Sequence, residues 1–528
     1  MVYEVIRKVG KYRYKYEVES RWDPEKKQPR QRVLRFLGRV DERGKVIVPP
    51  EIRVASVQSS FPIGGLSLFC AVAQKLDIVS RAMDVLDVPW DTAGQVLCLA
   101  LNQIGTRRPL GEVSAWVKRS PLPRWLGLDV SQMNRDSFEK ALYALCHVTL
   151  DETKEDRGLM LQQEMTKTWR NGSREPAQFY YDVTKQVYHG TCCPYAEPGY
   201  FPGGRKKGVL GFGLVTSRFN HHPVLCRAIP GSRNDTVTVQ DVVNNLKAWG
   251  FDKLTLIMDR GMVSKENVKF IIESGFDQVG IVPDTNNAAW DYLARWAAED
   301  VQKPEFIVKR SEKRWVYVRA WEAPLFDRKR MKVALVIDSV RGAEEMTERD
   351  GMIHTADKST DASLLRELRH DLGYLAVPAP GRRGFTVDRK LAREDRIGDG
   401  RFLMFSTDLS MSAEEILKVY FQRDEIERAF RTLKGELCLG PIRYRRREMI
   451  DAYTTLVYLA YLMWSTVQRR FEEKQPGLTV TGALRLLEDV HLVRFQSGKT
   501  VREWTTRLSD EQERILKYVG AAKLLHSG

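Results

Sequence analysis

Tyr420, Arg423, Glu427 and Lys434 stand at offsets 0, 3, 7 and 14 within VYFQRDEIERAFRTLKGEL. On a single helix turning about 100° per residue, they share a stripe about 60° wide. Ile426, Ala429, Phe430, Leu433 and Leu437 fill the adjoining face. The spacing predicts a helix that buries this apolar side and carries one carboxylate along its rim, flanked by a phenol and two cations. Arg431 extends the basic edge. A surface helix with i,i+4 ion pairs such as Glu427–Arg431 would read the same way. Two earlier carboxylates give the stripe a chemistry. Asp182 interrupts the apolar run FYYDVT, and aspartate is depleted in strands. Burying its charge is costly unless it is paired or bound to metal; an edge strand facing solvent would also accommodate it. Asp259 closes LTLIMD just before Arg260-Gly261, at the strand end where α/β sheets bind ligands. A turn-forming Asp before Gly looks the same, and Asp338 ends VALVIDS in the same form. Three carboxylates can hold two divalent cations that activate a nucleophile and stabilise a leaving oxygen in phosphodiester chemistry. Mg²⁺ prefers such oxygen ligands, and Arg, Lys and Tyr suit phosphate contacts.

These residues resemble a known family. The spacing Y-x2-R-x3-E-x6-K is matched at every position by Tyr420, Arg423, Glu427 and Lys434, and it is similar to the signature of one branch of the DDE transposases of bacterial insertion sequences. The resemblance implies an RNase H-like core. The first Asp would lie on its first strand (Asp182), the second at the end of its fourth (Asp259) and the Glu on a late helix (Glu427). It implies that these three are catalytic and hold two Mg²⁺ ions, with Mn²⁺ able to substitute. Tyr420, Arg423 and Lys434 would grip phosphates of the element end. A β-rich insertion is expected before the Glu helix, and the 168 residues from Asp259 to Glu427 leave room for it. Pro230-Gly-Ser-Arg-Asn-Asp235 resembles the family's Gly-Asn-x-x-Asp region. The implied activity is metal-dependent cleavage at the element ends followed by strand transfer into target DNA, by a homodimer on paired ends. Two other readings stay open: a structure-selective nuclease on the same core, and a catalytically inactive DNA-binding protein derived from a transposase. Trp290, Trp315 and Trp321 could stack on a flipped base, but core packing is the expected role of each.

The elements that must position these residues are legible in outline. QFYYDVTKQVYH, GVLGFGLVTSRF and HPVLCRAIPG read as an antiparallel meander of three strands. DTVTVQDVVNNLKAWG reads as a helix, KLTLIMD as a strand, VSKENVKFIIESG as a helix and FDQVGIVP as a strand. The order β-β-β-α-β-α-β predicts a mixed sheet with helices on its faces. The expected divisions are a basic β arm (1–53), a helical and candidate DNA-binding domain (54–175) with its boundary at Val48-Pro-Pro-Glu51, the catalytic core (176–284 and 401–475), the β-rich insertion (285–400) and a helical C-terminal region (476–528). One continuous helix is expected from Met411 to about Gly435.

Composition agrees with a DNA partner. Among 528 residues, 84 Lys and Arg outnumber 69 Asp and Glu, a net charge of +15; a surplus of this size favours polyanions. Residues 1–53 alone hold 15 basic and 8 acidic side chains, a local net of +7. Residues 418–447 hold nine basic and four acidic ones, ending in Arg443, Arg445, Arg446 and Arg447, a cluster suited to DNA phosphates. The expected partner is double-stranded DNA, both terminal inverted repeats and target. The seven cysteines form no CxxC pair, which speaks against a zinc site or disulfide framework. Neither HExxH nor GxxxxGK[ST] occurs, so no nucleotide cofactor is expected. Met1 to Lys8 alternates without an apolar signal region. The uncharged stretch Ala452–Gln468 is slightly short for a span and carries several hydroxyls, so it reads as a buried helix. A cytoplasmic, nucleoid-associated protein is the expectation.

Overall fold

The computed structural model describes all residues except 1, 11, 24–26, 47–55, 106, 151–152, 200–206, 234, 284–285, 287, 312, 380–384, 498–499 and 527–528. The expected boundary at 48–51 and Asn234 of the Pro230–Asp235 segment lie outside the described residues. The chain divides into two units, one of residues 1–64, 488–509 and 525–528, the other of 65–487 and 510–524.

The first unit is β structure. Val2–Val9, Tyr12–Asp23 and Gln28–Val40 form the antiparallel sheet expected of the basic arm. A second sheet joins Ser56–Pro62 to His491–Ser497 and Thr500–Thr505. The C-terminal region is therefore not wholly helical as expected. HLVRFQS and TVREWT are short segments that mix apolar, β-branched and polar residues and stand close together in sequence, which is a hairpin signal.

The second unit is built on one sheet. Its strands are β1 (Gln178–Val187), β2 (Lys207–Ser217), β3 (Pro223–Pro230), β4 (Thr255–Met258), β5 (Asp277–Ile281), β6 (Ile307–Ser311), β7 (Arg314–Leu325), β8 (Arg328–Ile337) and β9 (Arg401–Ser406). They lie in the order β3-β2-β1-β4-β5-β9-β8-β7-β6, with the short strand Glu197–Gly199 beside β2. The first three are antiparallel, and β1, β4 and β5 are parallel. Helices α1 (Asp235–Ala248) and α2 (Lys265–Glu273) make the crossovers between the parallel strands. This is the expected RNase H-like topology. Phe179, Tyr180 and Tyr181 in β1 are all buried, because a strand covered on both faces reads as a continuous apolar run.

The insertion is not a separate β module. Its strands β6–β8 extend the core sheet through β9. Its second half is helical, with α3 (Ser339–Lys358) and α4 (Ala362–Leu372). Asp338 is structural: fully buried, it caps α3 and pairs with Arg310 at 2.7 Å and Arg314 at 2.8 Å.

The expected single helix over 411–435 is two helices, α5 (Ala413–Phe421) and α6 (Asp424–Lys434). At their joint Arg423 N–H donates to Tyr420 O and Glu425 N–H to Gln422 O, both i to i+3. Beyond them α7 (Arg447–Lys474) is the buried helix expected at 452–468, with Tyr453, Tyr458 and Phe471 almost fully enclosed. It packs on β3 and on the helices Trp90–Asn102 and Arg157–Gly172 of the N-terminal helical region. Among the described residues no helix is long and apolar enough to cross a membrane. The helical region also carries a small strand pair, His147–Leu150 with Thr153–Asp156, where the sequence pattern predicts a continued helix.

Candidate active site

Asp182 and Asp259 are brought together by strand register. The parallel pairing of β4 with β1 runs from Thr255 opposite Gln178 to Met258 opposite Tyr181. The same register carried one step further, past the end of β4, leads Asp259 toward Asp182, neighbouring strands being about 4.8 Å apart. Because β4 stops at Met258, the sheet opens at this step. Asp182 thus sits half-buried at the crevice rather than sealed between strands. That is how an apolar central strand tolerates it.

The loop after β4 is fixed from below. Asp259 accepts from Arg260 N–H at 2.7 Å. The buried Asn267 of α2 donates to Met262 O at 3.0 Å and Thr236 O at 2.7 Å, and Thr236 Oγ1 donates to Gly261 O at 3.0 Å. These bonds tie the strand-end loop to both crossover helices.

The α5–α6 segment supplies the rest. α6 buries Ile426, Ala429, Phe430 and Leu433 as its pattern predicts. Glu427 lies in its first turn, where the helix dipole favours a carboxylate. Arg423, at the joint, reaches across: its Nη1 is 3.2 Å from Asp259 Oδ1 and its Nη2 3.6 Å from Glu427 Oε1. Buried Tyr420 directs its hydroxyl at Asp259 Oδ1, 3.5 Å away. The stripe expected of one helix is therefore assembled from two, and its members still converge.

The electrostatics follow from this crowding. Burial pushes the Tyr420 phenol up to about 12 against the opposing pull of Arg423. Burial works against the Arg423 charge, but Tyr420, Asp259 and Asp182 overcome it and raise its pKa. Lys434 is lowered by partial burial, while Asp182 opposes the shift. Asp182 thus lies within the field of both cations. Arg260 is lowered by burial and then by Arg341, and raised by Tyr420 and Asp259.

The fold thus brings Asp259, Tyr420, Arg423 and Glu427 into contact and places Asp182 and Lys434 within their electrostatic reach. Arg431 is exposed on α6 and makes no described side-chain contact with the three carboxylates. The basic cluster leads into α7. Arg446 donates to Tyr143 Oη, and Arg447 to Tyr195 Oη at 3.2 Å. Arg443 and Arg445 are exposed and form no ion pair among the described residues. Trp321 packs edge-on against Trp296 at 4.5 Å, as core packing requires. Trp290 and Trp315 are exposed at 46% and 55%, so neither is a core residue. The sequence pattern did not single out Arg260, although its adjacency to Asp259 could have marked it.

The carboxylates suit a hard cation. They are oxygen donors, Asp259 and Glu427 are about half exposed, and cations already balance them. Among the described residues they do not close into a ligand cluster, and Arg423 bridges Asp259 and Glu427.

No curated protein matches the chain. Among solved structures it is loosely similar to the piggyBac transposase in its synaptic complex with hairpin DNA, at 10% identity and a TM-score of 0.38 over 81% of this chain and 80% of that one. The family model described as the transposase DDE domain matches residues 175–463, from the start of β1's approach to the middle of α7, and the chain belongs to that family.

Proposed function

We propose that the protein is an active transposase that cuts DNA at the ends of its insertion sequence and joins them to target DNA. Asp182, Asp259 and Glu427 are the catalytic carboxylates and would hold two Mg²⁺ ions, for which Mn²⁺ could substitute. The observation that carries the reading is the β1–β4 register, which sets Asp182 beside Asp259, together with Arg423 spanning Asp259 and Glu427. When bound, such ions supply Lewis acidity toward a phosphodiester and acidify a water.

The reaction is two in-line displacements at phosphorus. Water attacks the phosphodiester at the element boundary, the bond to the 3′ oxygen breaks, and a 3′-hydroxyl is released. That hydroxyl attacks a phosphodiester of the target, forms the new bond and releases a target 3′-hydroxyl. Arg423 presents a planar fork suited to two phosphate oxygens. Lys434 adds a point charge. Tyr420, neutral at physiological pH, donates a hydrogen bond. Arg431, Arg443, Arg445, Arg446 and Arg447 follow the DNA backbone away from the site. The protein acts as a homodimer on paired ends, in the cytoplasm and on the nucleoid.

The test is cleavage of a labelled duplex carrying the gene's own flanking ends, with Mg²⁺ and with EDTA, by wild type and Glu427→Gln. Metal-dependent cuts at the element boundary, lost in the variant while end binding persists, are expected. Cleavage by Glu427→Gln at the wild-type rate would refute the assignment.

A further inference from the structure

The joint between α5 and α6 carries Arg423 and leads straight into Glu427, yet nothing in its own sequence makes a bend. Gln422 and Arg423 both keep right-handed helical backbone angles. The contacts that hold the joint come from the turn between β2 and β3, some two hundred residues earlier. Arg218 Nε donates to Gln422 Oε1 at 2.8 Å, and Arg218 Nη1 donates to Gln178 Oε1 at 2.5 Å. Arg218 N–H also donates to Gln178 O at 2.9 Å. One side chain thus joins the first residue of β1, the strand of Asp182, to the joint itself. Three residues on, His221 Nδ1 lies 2.7 Å from Glu425 Oε2. Tyr180 of β1 adds a third tie, its hydroxyl donating to Val419 O at 3.1 Å.

The turn is rigid enough to serve as an anchor. His221 takes a left-handed backbone conformation, with φ 54°, and its N–H donates to Ser217 O at 3.1 Å. The next residue, His222, is buried and stacks on Trp169 at 4.7 Å with an interplanar angle of 10°. Glu425 and Glu427 are two residues apart, about 200° around the helix, so they occupy opposite faces of α6. His221 therefore acts from behind the site.

We propose that Arg218 and His221 are positioning residues for the reaction: together they clamp the α5–α6 joint and set Arg423 and Glu427 against the aspartates of β1 and β4. This rests on the assignment of the three carboxylates above. The His221 arm has a pH dependence. Burial works against its protonation, but Glu425 prevails, with Glu472 of α7 assisting and Arg428 of α6 opposing, and the pKa is raised. Tyr461 of α7 lines the same cavity of about 350 Å³, which opens His221 to solvent. The ion pair is therefore complete below the ordinary histidine pKa and is lost as pH rises through the raised one.

The experiment is single-turnover cleavage of the labelled end duplex by the full chain, with end-binding affinity and the thermal unfolding midpoint measured alongside. The variants are Arg218→Lys, Gln422→Leu, His221→Asn, Glu425→Gln and the last two combined. Asn tolerates the left-handed backbone and is too short to reach Glu425. Each single variant should cleave about 5- to 50-fold more slowly, a loss of orientation of the kind that small displacements produce. End binding should stay within about twofold and the unfolding midpoint should not move. The double variant should be no slower than its worse single, because both break one pair. The rate ratio of wild type to His221→Asn should fall from about pH 6 to about pH 9. Rates within twofold of wild type, losses that track binding or unfolding, additive effects in the double variant, or a flat pH ratio would each overturn the clamp. Glu427→Gln run in parallel separates the two failures. If it cleaves normally, the site assignment falls. If it is dead while His221→Asn and Arg218→Lys are normal, only the clamp falls.

Discussion

Arg423 balances the carboxylates and also stands in the space between two of them, so it should compete with a divalent cation. Replacing it by Gln removes the charge and leaves a shorter, neutral polar side chain. Its two contacts are at 3.2 Å to Asp259 and 3.6 Å to Glu427. At an effective dielectric near 20, a full charge pair at about 4 Å reaches about 4 kcal/mol. The Asp259 and Glu427 side chains are 47% and 53% exposed, so water screens most of this. Exposed pairs return about 0.2–1 kcal/mol each. The Arg423 side chain is only 17% exposed, which puts this case above that range. A combined coupling of about 1–3 kcal/mol follows, or about 5- to 150-fold in affinity. Titration of the DNA-free full chain with Mn²⁺, read by the loss of free-ion paramagnetic signal, measures it directly. Arg423→Gln should bind Mn²⁺ tighter by that factor and bind end DNA more weakly. The same linkage makes metal loading release the guanidinium for a phosphate. Equal or weaker Mn²⁺ affinity in Arg423→Gln would refute the competition.

Two further outcomes are expected. Arg443→Ala and Arg445→Ala should each lower the slope of log affinity against log salt by about 0.9 for end DNA; an unchanged slope removes that residue from the interface. Asp338→Asn should cost about 3–5 kcal/mol, because it leaves Arg310 and Arg314 facing a buried neutral group. Burial raises the Asp338 pKa, but Arg314, the Arg341 N–H and Arg310 outweigh it and leave it lowered. Its contribution is therefore present above the ordinary carboxylate pKa and lost only as pH falls through the depressed one. An unaltered urea midpoint for Asp338→Asn at neutral pH would contradict this.

Asp182 was legible because a charge inside FYYDVT conflicts with its surroundings, and such conflicts mark places where a chain has a use for the residue. Asp259 and Asp338 were not separable in the same way. Each closes an apolar strand, and only the sheet order tells them apart. β4 lies beside β1 and ends level with Tyr181, one residue before Asp182, whereas β8 lies beyond β9 and the Asp that follows it is buried against Arg310 and Arg314. The C-terminal hairpin was missed for a different reason. Its first strand, His491–Ser497, pairs with Ser56–Pro62, more than four hundred residues away, and strand formation depends on such cross-strand neighbours more than on local preference.

The α5–α6 joint is the most instructive departure. Tyr420, Arg423, Glu427 and Lys434 have helical spacing, and YFQRDE holds neither Pro nor Gly to interrupt it. Sharp helix breaks have identifiable causes, and here the cause is tertiary: Arg218, Tyr180 and His221 seize Gln422, Val419 and Glu425. On one straight helix, Tyr420 and Lys434 would be about 21 Å apart along the axis at 1.5 Å per residue. The split at Gln422–Arg423 leaves Tyr420 on α5, Glu427 on α6 and Arg423 at the joint between them. Tyr420 and Arg423 can then turn onto Asp259 while α6 keeps its apolar face on the core. The periodicity thus picked out residues that lie near one another in the fold, and the sheet, through side chains far away in sequence, sets how they meet.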